Sequence, residues 1–241
     1  MQVLAIDMGG TNTRIALFSG KLDNIRHYRT DKIDDLYELL KPIVKGSNIS
    51  ACGIGFAGPV TGCTAKLTNA GYTIDVKKLK KTTGLKRIML VNDFYANAAG
   101  ISLLAKKDIF TLNKSRTKKD VRMVIGPGTG LGKAYLIDGK VIPTEGGMTC
   151  LGVNDDTRLL EFLRKKCKGE VYYEDILSGR GLLSLYRFFR GKGKYTDAKE
   201  ITENKTETAS KKAISQFVGF YARYARDSCL NILPSEVYLC G

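Results

Sequence analysis

Short apolar runs, broken by glycine, proline and acidic residues, alternate along this chain with stretches whose apolar residues recur at helical spacing. Residues 3–6 (VLAI) reach Asp7, turn through Gly9, Gly10, Thr11 and Asn12, and leave as a second run over 15–18 (IALF). Two such runs joined by a glycine-rich turn predict a β-hairpin. Residues 25–30 predict a third antiparallel strand, and 34–40 a short helix stopped by Pro42. Residues 50–56 (SACGIGF) read as a buried strand ending in Ala57-Gly58-Pro59, and the extended stretch over 65–68 runs into a turn at Asn69-Ala70-Gly71. Asp75 is placed to cap a helix through residue 81. Residues 87–91 (RIMLV) read as a strand buried on both faces and lead through Asn92 and Asp93 into a helix that ends near 105. A polar, lysine-rich connection covers 106–119. Beyond it come a second hairpin over 125–140, helices over 157–167, 172–176, 181–189 and 207–230, and a closing strand from 236, read as buried. Strands alternating with helices predict an α/β class with a central sheet.

The second hairpin repeats the first. Shifting residues 3–21 by 119 positions lays Asp7 on Gly126, Gly9 on Gly128, Ala16 on Tyr135, Leu17 on Leu136, and Gly20-Lys21 on Gly139-Lys140. Each copy is strand, Gly/Thr-rich turn, strand, then a Gly-Lys turn. Internal duplication dictates architecture, so two similar domains are expected, a smaller one over 1–105 and a larger one over 106–241, facing each other across a nucleotide.

The turns carry candidate chemistry. Adjacent glycines permit positive φ and present N–H groups with no Cβ in front of them, and successive N–H groups in one concavity bind phosphate oxygens. Asp7, at the end of the incoming strand, sits where a metal ion carried by that phosphate takes a hard oxygen. The same stretch also suits an ordinary hairpin with a solvated aspartate. Ligands of such sheets gather beyond the carboxyl ends of strands, which puts Asn69, Asn92 and Asp93 on one rim. Asp93 follows an apolar strand and opens a helix. It suits either a helix N-cap or a general base that takes a hydroxyl proton. Glu145, between a strand end and two glycines, suits a loop approaching ligand hydroxyls or a plain polar turn. Glu174 by itself passes as a solvated helix residue.

Composition narrows the classes. The chain has 241 residues, 43% hydrophobic and 26% charged, ordinary for a globular protein. No apolar run approaches the roughly 18 residues of a membrane span, and no signal-peptide pattern opens the chain. Six cysteines without a C-x-x-C pair suggest neither a zinc site nor a disulfide framework, so the cytoplasm is the expected compartment. A formal charge of +15 admits nucleic-acid binding. Yet the lysines fall in short local runs such as Lys77-Lys78, Lys106-Lys107 and Lys165-Lys166, without interleaved aromatics, which suits solvated faces with a general attraction for anions.

Taken together, these stretches resemble the bacterial-type glucokinase family, within the superfamily of hexokinases, actin and the large heat-shock chaperones. The motifs are DMGGTNTR (7–14), LVNDFYANAAG (90–100), GPGTGLGKA (126–134), EGGM (145–148) and EDILSGRGLLSLYRF (174–188). The first and third are widespread in the superfamily; the others, in this order, are more specific. Related ROK sugar kinases carry a Cys-rich zinc motif with a histidine ligand beside it, whereas the one histidine here is His27, in an early strand.

The resemblance implies an actin-like (ribonuclease H-like) ATPase fold, two similar α/β domains around a cleft. It implies ATP-dependent phosphorylation of a hexose, glucose first, at its 6-hydroxyl, with Mg²⁺. Carried over by motif, Asp93 is the base and Asn92 binds a neighbouring hydroxyl. Asn69 belongs to the sugar site, and Glu145 and Glu174 take hydroxyls at the far end of the ring. The amides around Gly9, Gly10, Thr11 and Asn12, and around Gly128, Thr129 and Gly130, hold the phosphates, while Asp7 positions Mg²⁺ through water. Expected partners are the hexose and ATP, with a homodimer as the candidate assembly. Two departures stand out. Met148 replaces the histidine that follows EGG in the family, which opens the choice to mannose, an amino sugar or another hexose. The family also continues past the final strand into an adenosine-contacting segment and a helix, and this sequence stops at Gly241, apparently shortened. A non-catalytic sugar or nucleotide sensor and a chaperone- or actin-like ATPase are the rival readings.

Overall fold

A computed structural model describes residues 2–67, 72–114, 120–152, 156–204 and 206–241. The chain folds as two compact units, Met1–Ile101 and Ser102–Gly241, each built on its own sheet and core. The first contains β1 (Gln2–Met8), β2 (Asn12–Phe18), β3 (Leu22–Arg29), α1 (Leu36–Lys45), β4 (Ile49–Phe56), β5 (Val60–Thr61), β6 (Thr64–Leu67), β7 (Tyr72–Asp75), α2 (Val76–Thr83), β8 (Arg87–Asn92) and α3 (Asp93–Gly100). Its main sheet has the order β3-β2-β1-β4-β8, with β5, β6 and β7 in a small sheet of their own. Strands β1, β4 and β8 run parallel, while β2 and β3 are antiparallel additions. Every second residue of β1 (Leu4, Ile6, Met8) is buried, as are Cys52, Ile54 and Phe56 of β4. This is the period of a strand with a covered face. Leu36, Tyr37, Leu40 and Val44 of α1 and Leu79 of α2 complete that core.

The second unit contains β9 (Val121–Pro127), β10 (Leu131–Ile137), β11 (Lys140–Thr144), α4 (Thr157–Cys167), α5 (Gly179–Arg190), α6 (Ala198–Glu203), α7 (Thr208–Ile232) and β12 (Glu236–Leu239). Its sheet order is β11-β10-β9-β12, with β12 parallel to β9. Both units therefore place three antiparallel strands in the order third, second, first, followed by a strand parallel to the first. The duplication seen in the turns extends to four strands of each sheet, β8 being the first unit's addition. The second core joins Met123, Ile125 and Tyr135 to Leu159, Leu163, Leu185, Tyr186, Phe220 and Tyr224 of the helices.

Several expectations are corrected. Pro42 does not stop the first helix but lies within α1, which begins at Leu36 rather than Asp34 and is capped by Asp35, its Oδ1 accepting the Tyr37 and Glu38 amides. The buried apolar face continues past the proline to Val44, and its burial outweighs the one helical hydrogen bond that proline cannot donate. β8 is not covered on both faces. It ends its sheet, and Met89 is 62% exposed. The closing strand β12 is likewise a sheet edge, with Val237 and Leu239 exposed. An apolar run identifies a strand, but nothing in it tells a central strand from an edge. The helix after Asp93 is also shorter than expected, ending at Gly100 and passing into a 3-10 turn over Ile101–Leu103. The cap at Asp75 is as expected.

The cysteines form no disulfide among the described residues; Cys63 and Cys150 are exposed and Cys52 is buried. No helix among the described residues is long and apolar enough to cross a membrane.

Candidate active site

In the first unit the turn between β1 and β2 closes when the Gly9 N–H donates to Asn12 O at 2.9 Å. Beneath it lies a buried hydroxyl pair, Thr13 and Thr30, 2.9 Å apart at their Oγ1 atoms. Thr30 Oγ1 also donates to Gly9 O at 2.8 Å, and its N–H donates to Thr11 O. The turn is thus braced from below at Gly9 and Thr11. The Gly9 amide is engaged in closing the turn. Gly9 is not among the residues in the left-handed region, which include Gly20 and Gly139 at the far ends of the two hairpins. What Gly9 supplies is space, since a Cβ there would stand 3.1 Å from Asn12 O.

Asp7 is exposed at the end of β1, opposite Arg14, and its Oδ2 accepts from Arg14 Nη1 at 3.0 Å. Asp93 is the first residue of α3 and half-buried. The N-cap is its neighbour: Asn92 Oδ1 accepts the Phe94 and Tyr95 amides at 2.9 and 3.3 Å, and Asn92 Nδ2 donates to Gly58 O at 3.3 Å. With Asn92 as the cap, the Asp93 carboxylate accepts the Phe94 amide at 2.9 Å and has further local hydrogen bonds to the Asn92 side chain and its own backbone. Burial, and then the nearby Asp7 carboxylate, hold the Asp93 carboxyl above the ordinary carboxylate range, against the Phe94 amide. Gly55 lets the start of α3 pack close on β4, where a Cβ would stand 3.2 Å from Ala96 Cβ. Asn69 lies outside the described residues.

In the second unit the turn between β9 and β10 closes in the same way, the Gly128 N–H donating to Gly130 O at 2.7 Å. The first residue of α5 braces this turn, Gly179 N–H donating to Gly128 O at 2.9 Å. Glu174 lies in a 3-10 turn, Tyr173–Asp175, directly behind the hairpin. Its Oε2 accepts the Leu131 amide at 3.1 Å, and a Cβ on Gly130 would stand 2.6 Å from that oxygen. Where the first unit has Asp7, the second has Gly126. A side chain there would meet Cys240, whose Sγ lies 2.6 Å from the built Cβ.

Glu145 is exposed and opens a 3-10 turn, Gly146–Met148. Both glycines after it are forced by space: a Cβ on Gly147 would strike Leu131 O, and one on Gly146 would strike Lys133 Cε and stand 2.7 Å from Tyr224 Oη. Lys133 is buried, its Nζ 3.3 Å from Ser228 Oγ and over the rings of Tyr135 and Tyr224. Burial pushes its pKa down. Met148 is half exposed.

The first unit therefore gathers Asp7, the Gly9–Asn12 turn, Asn92 and Asp93, while the second gathers the Gly128–Gly130 turn and Glu174, with Glu145 on the loop beside β10. The sequence reading missed the support beneath them. Thr13 left a trace, a hydroxyl at an inward position of an otherwise apolar row; Arg180, which bonds to Glu174 at 2.8 Å, left none beyond its place in a motif. Among the described residues no three His, Cys, Asp or Glu side chains converge as a metal cage. Magnesium does not need one, since it keeps several waters and binds through one or two carboxylates plus substrate phosphates. The exposed carboxylate of Asp7 beside a phosphate-type turn fits that use.

The model of the family described as Glucokinase matches residues 4–241. A glucokinase of Nostoc sp. (strain PCC 7120 / SAG 25.82 / UTEX 2576) is 30% identical over 286 residues, spanning 99% of this chain and 83% of its own length. The structure of the glucokinase from Balamuthia mandrillaris in complex with glucose has a TM-score of 0.79 at 23% identity, covering 100% of this chain and 79% of that one. A ROK family glucokinase from Streptomyces griseus, in complex with glucose and AMPPNP, gives 0.72 at 16% identity, covering 100% and 83%. These structures share the fold, the actin-like ATPase type expected from the motifs. With the family model running almost from end to end, the chain belongs to the glucokinase family.

Proposed function

We propose that this protein transfers the γ-phosphoryl group of ATP to the 6-hydroxyl of a hexose, with glucose as the first candidate. Family membership supports the reading, as do the glucose and AMPPNP held by solved relatives. The observation that carries it is Asp93, a half-buried carboxylate freed from capping by Asn92 and held above the usual range by burial and by Asp7. Such a group is suited to take a proton near neutral pH. Asp93 accepts the proton of the 6-hydroxyl as that oxygen bonds to the γ-phosphorus; the bond from γ-phosphorus to the β-bridging oxygen breaks, and ADP leaves with that electron pair. Phosphoryl transfer asks the protein mainly for positioning and charge neutralisation. The amides of Gly10 and Thr11, and of Thr129 and Gly130, would hold the phosphates. Asp7 would hold Mg²⁺ through water, and when bound that ion neutralises phosphate charge.

Asn92 holds the start of α3, and the second N–H of its amide serves a neighbouring hydroxyl. Glu145 and Glu174 take the hydroxyls at the far end of the ring, and Asn69 completes the sugar site. Met148 offers those hydroxyls no hydrogen bond, and a buried hydroxyl left unpaired costs about 1–3 kcal/mol. Hexoses that differ there, mannose and glucosamine among them, are therefore tested beside glucose. In a coupled assay for ADP, Asp93→Ala should lose roughly 10²–10⁴ in turnover with ATP affinity little changed. Near-normal turnover rejects the base, ADP formed without sugar favours the ATPase reading, and sugar binding without ADP favours a sensor.

A further inference from the structure

Glu174 is held at both carboxylate oxygens. Oε2 accepts the Leu131 amide at 3.1 Å, and Oε1 accepts from Arg180 Nη2 at 2.8 Å. The same Nη2 stands 3.6 Å from Asp175 Oδ1. A glutamate's terminal torsion is broad and nearly two-fold, so the amide alone would leave the carboxylate turning about a single bond. A second, charge-assisted bond fixes its plane. Each oxygen has two acceptor directions, so one on each remains for a ligand hydroxyl. Arg180 reaches Glu174 from a rigid base. It is the second residue of α5, whose cap Ser178 donates from Oγ to Glu174 O at 2.7 Å. Its side chain is 57% exposed, against 26% for Glu174, so replacing it opens no cavity.

We infer that Arg180 is a positioning residue for sugar recognition, fixing the Glu174 carboxylate against the Leu131 amide in the orientation that receives the sugar's hydroxyls. The inference rests on the assignment of Glu174 to the sugar made above. The Leu131 amide immediately follows the Gly128–Gly130 turn, so the group that orients the sugar carboxylate is continuous with the phosphate turn of the same unit.

The test uses four variants of the full chain, Arg180→Ala, Arg180→Lys, Glu174→Gln and Glu174→Gln with Arg180→Ala. Glucose affinity is measured by titration calorimetry beside steady-state kinetics and melting temperature. Arg180→Ala should raise the glucose Kd and KM about fivefold, the ceiling for an exposed ion pair. It should leave kcat, the ATP KM and the melting temperature unchanged, and Arg180→Lys should recover part of the loss. In the Glu174→Gln background Arg180→Ala should add nothing, because residues acting through one another are not additive. An unchanged glucose Kd in Arg180→Ala, or a full additional loss in the double variant, overturns the positioning role. Should Glu174→Gln itself bind glucose normally, the sugar assignment of Glu174 falls and this inference with it. If Glu174→Gln loses glucose while Arg180→Ala does not, only the inference about Arg180 fails.

Discussion

At Asp93, burial and a neighbouring negative charge act in the same direction, and the consequences for activity and stability have opposite signs. In the proposed role Asp93 works ionised, so kcat/KM should fall as pH drops through a value above the ordinary carboxylate range. Asp7→Asn removes one of the two causes of that elevation, and the acid limb of the pH profile should move to lower pH, whatever happens to the maximum rate. For stability, a raised carboxyl pKa means that the folded state prefers the protonated form. That contribution is whole below the unfolded value and is lost as pH rises through the folded one. Asp93→Asn, neutral throughout, should therefore melt higher than the parent at neutral pH and no differently near about pH 3, below the ordinary carboxylate pKa. Glycine positions give a second test at this scale. Gly130→Ala pushes a methyl toward Glu174 Oε2, and should weaken sugar and ATP together, whereas Gly20→Ala, strained but distant in sequence from any assigned residue, should affect melting temperature only. Asp93 and Glu174 were legible as residues because motifs mark them. Their surroundings were not, because the groups that act on them come from other elements: the charge of Asp7 for the first, the bonds from Leu131 and Arg180 for the second.

Among the elements, the two hairpins repay comparison. Both close their turns through the first glycine's amide, at positions 119 apart, yet their registers differ by one residue. Asp7 pairs with Arg14 in the first, whereas Gly126 pairs with Gly132 in the second. The turn is tighter in the second copy, and the place of the acid is taken by glycine packed on Cys240. Strand, turn and strand could be read from apolar runs and glycines, since those signals are local. Register depends on turn geometry and sheet edges on what pairs beyond, and neither is written in the run itself. The same holds for α1, where the local rule about proline loses to a buried face that continues to Val44. Pro42→Ala should restore the missing helical bond to the carbonyl of Glu38. It is expected to stabilise the fold by about 1–2 kcal/mol, read as a rise in the denaturation midpoint with unchanged slope.

The molecule as a whole is strongly basic, with a formal charge of +15, and its substrates differ in charge. Long-range attraction for an anion weakens as salt rises. The KM for ATP should increase severalfold between low and high ionic strength while that for glucose stays nearly constant; equal responses would mean that the charge is mere surface. Retention on DNA that falls steeply with salt would instead revive the nucleic-acid reading. Fold class and duplication were visible at this scale because two long, separate stretches carry the same signals, and each unit proves to have a core of its own. Assembly was not visible, and the thiols bear on how it is measured. Cys63 and Cys150 are exposed, while burial pushes Cys52 up to about 12 and leaves it unreactive. On storage in air exposed thiols such as these would join separate copies covalently, so a dimer counts as native only if it survives fresh reductant.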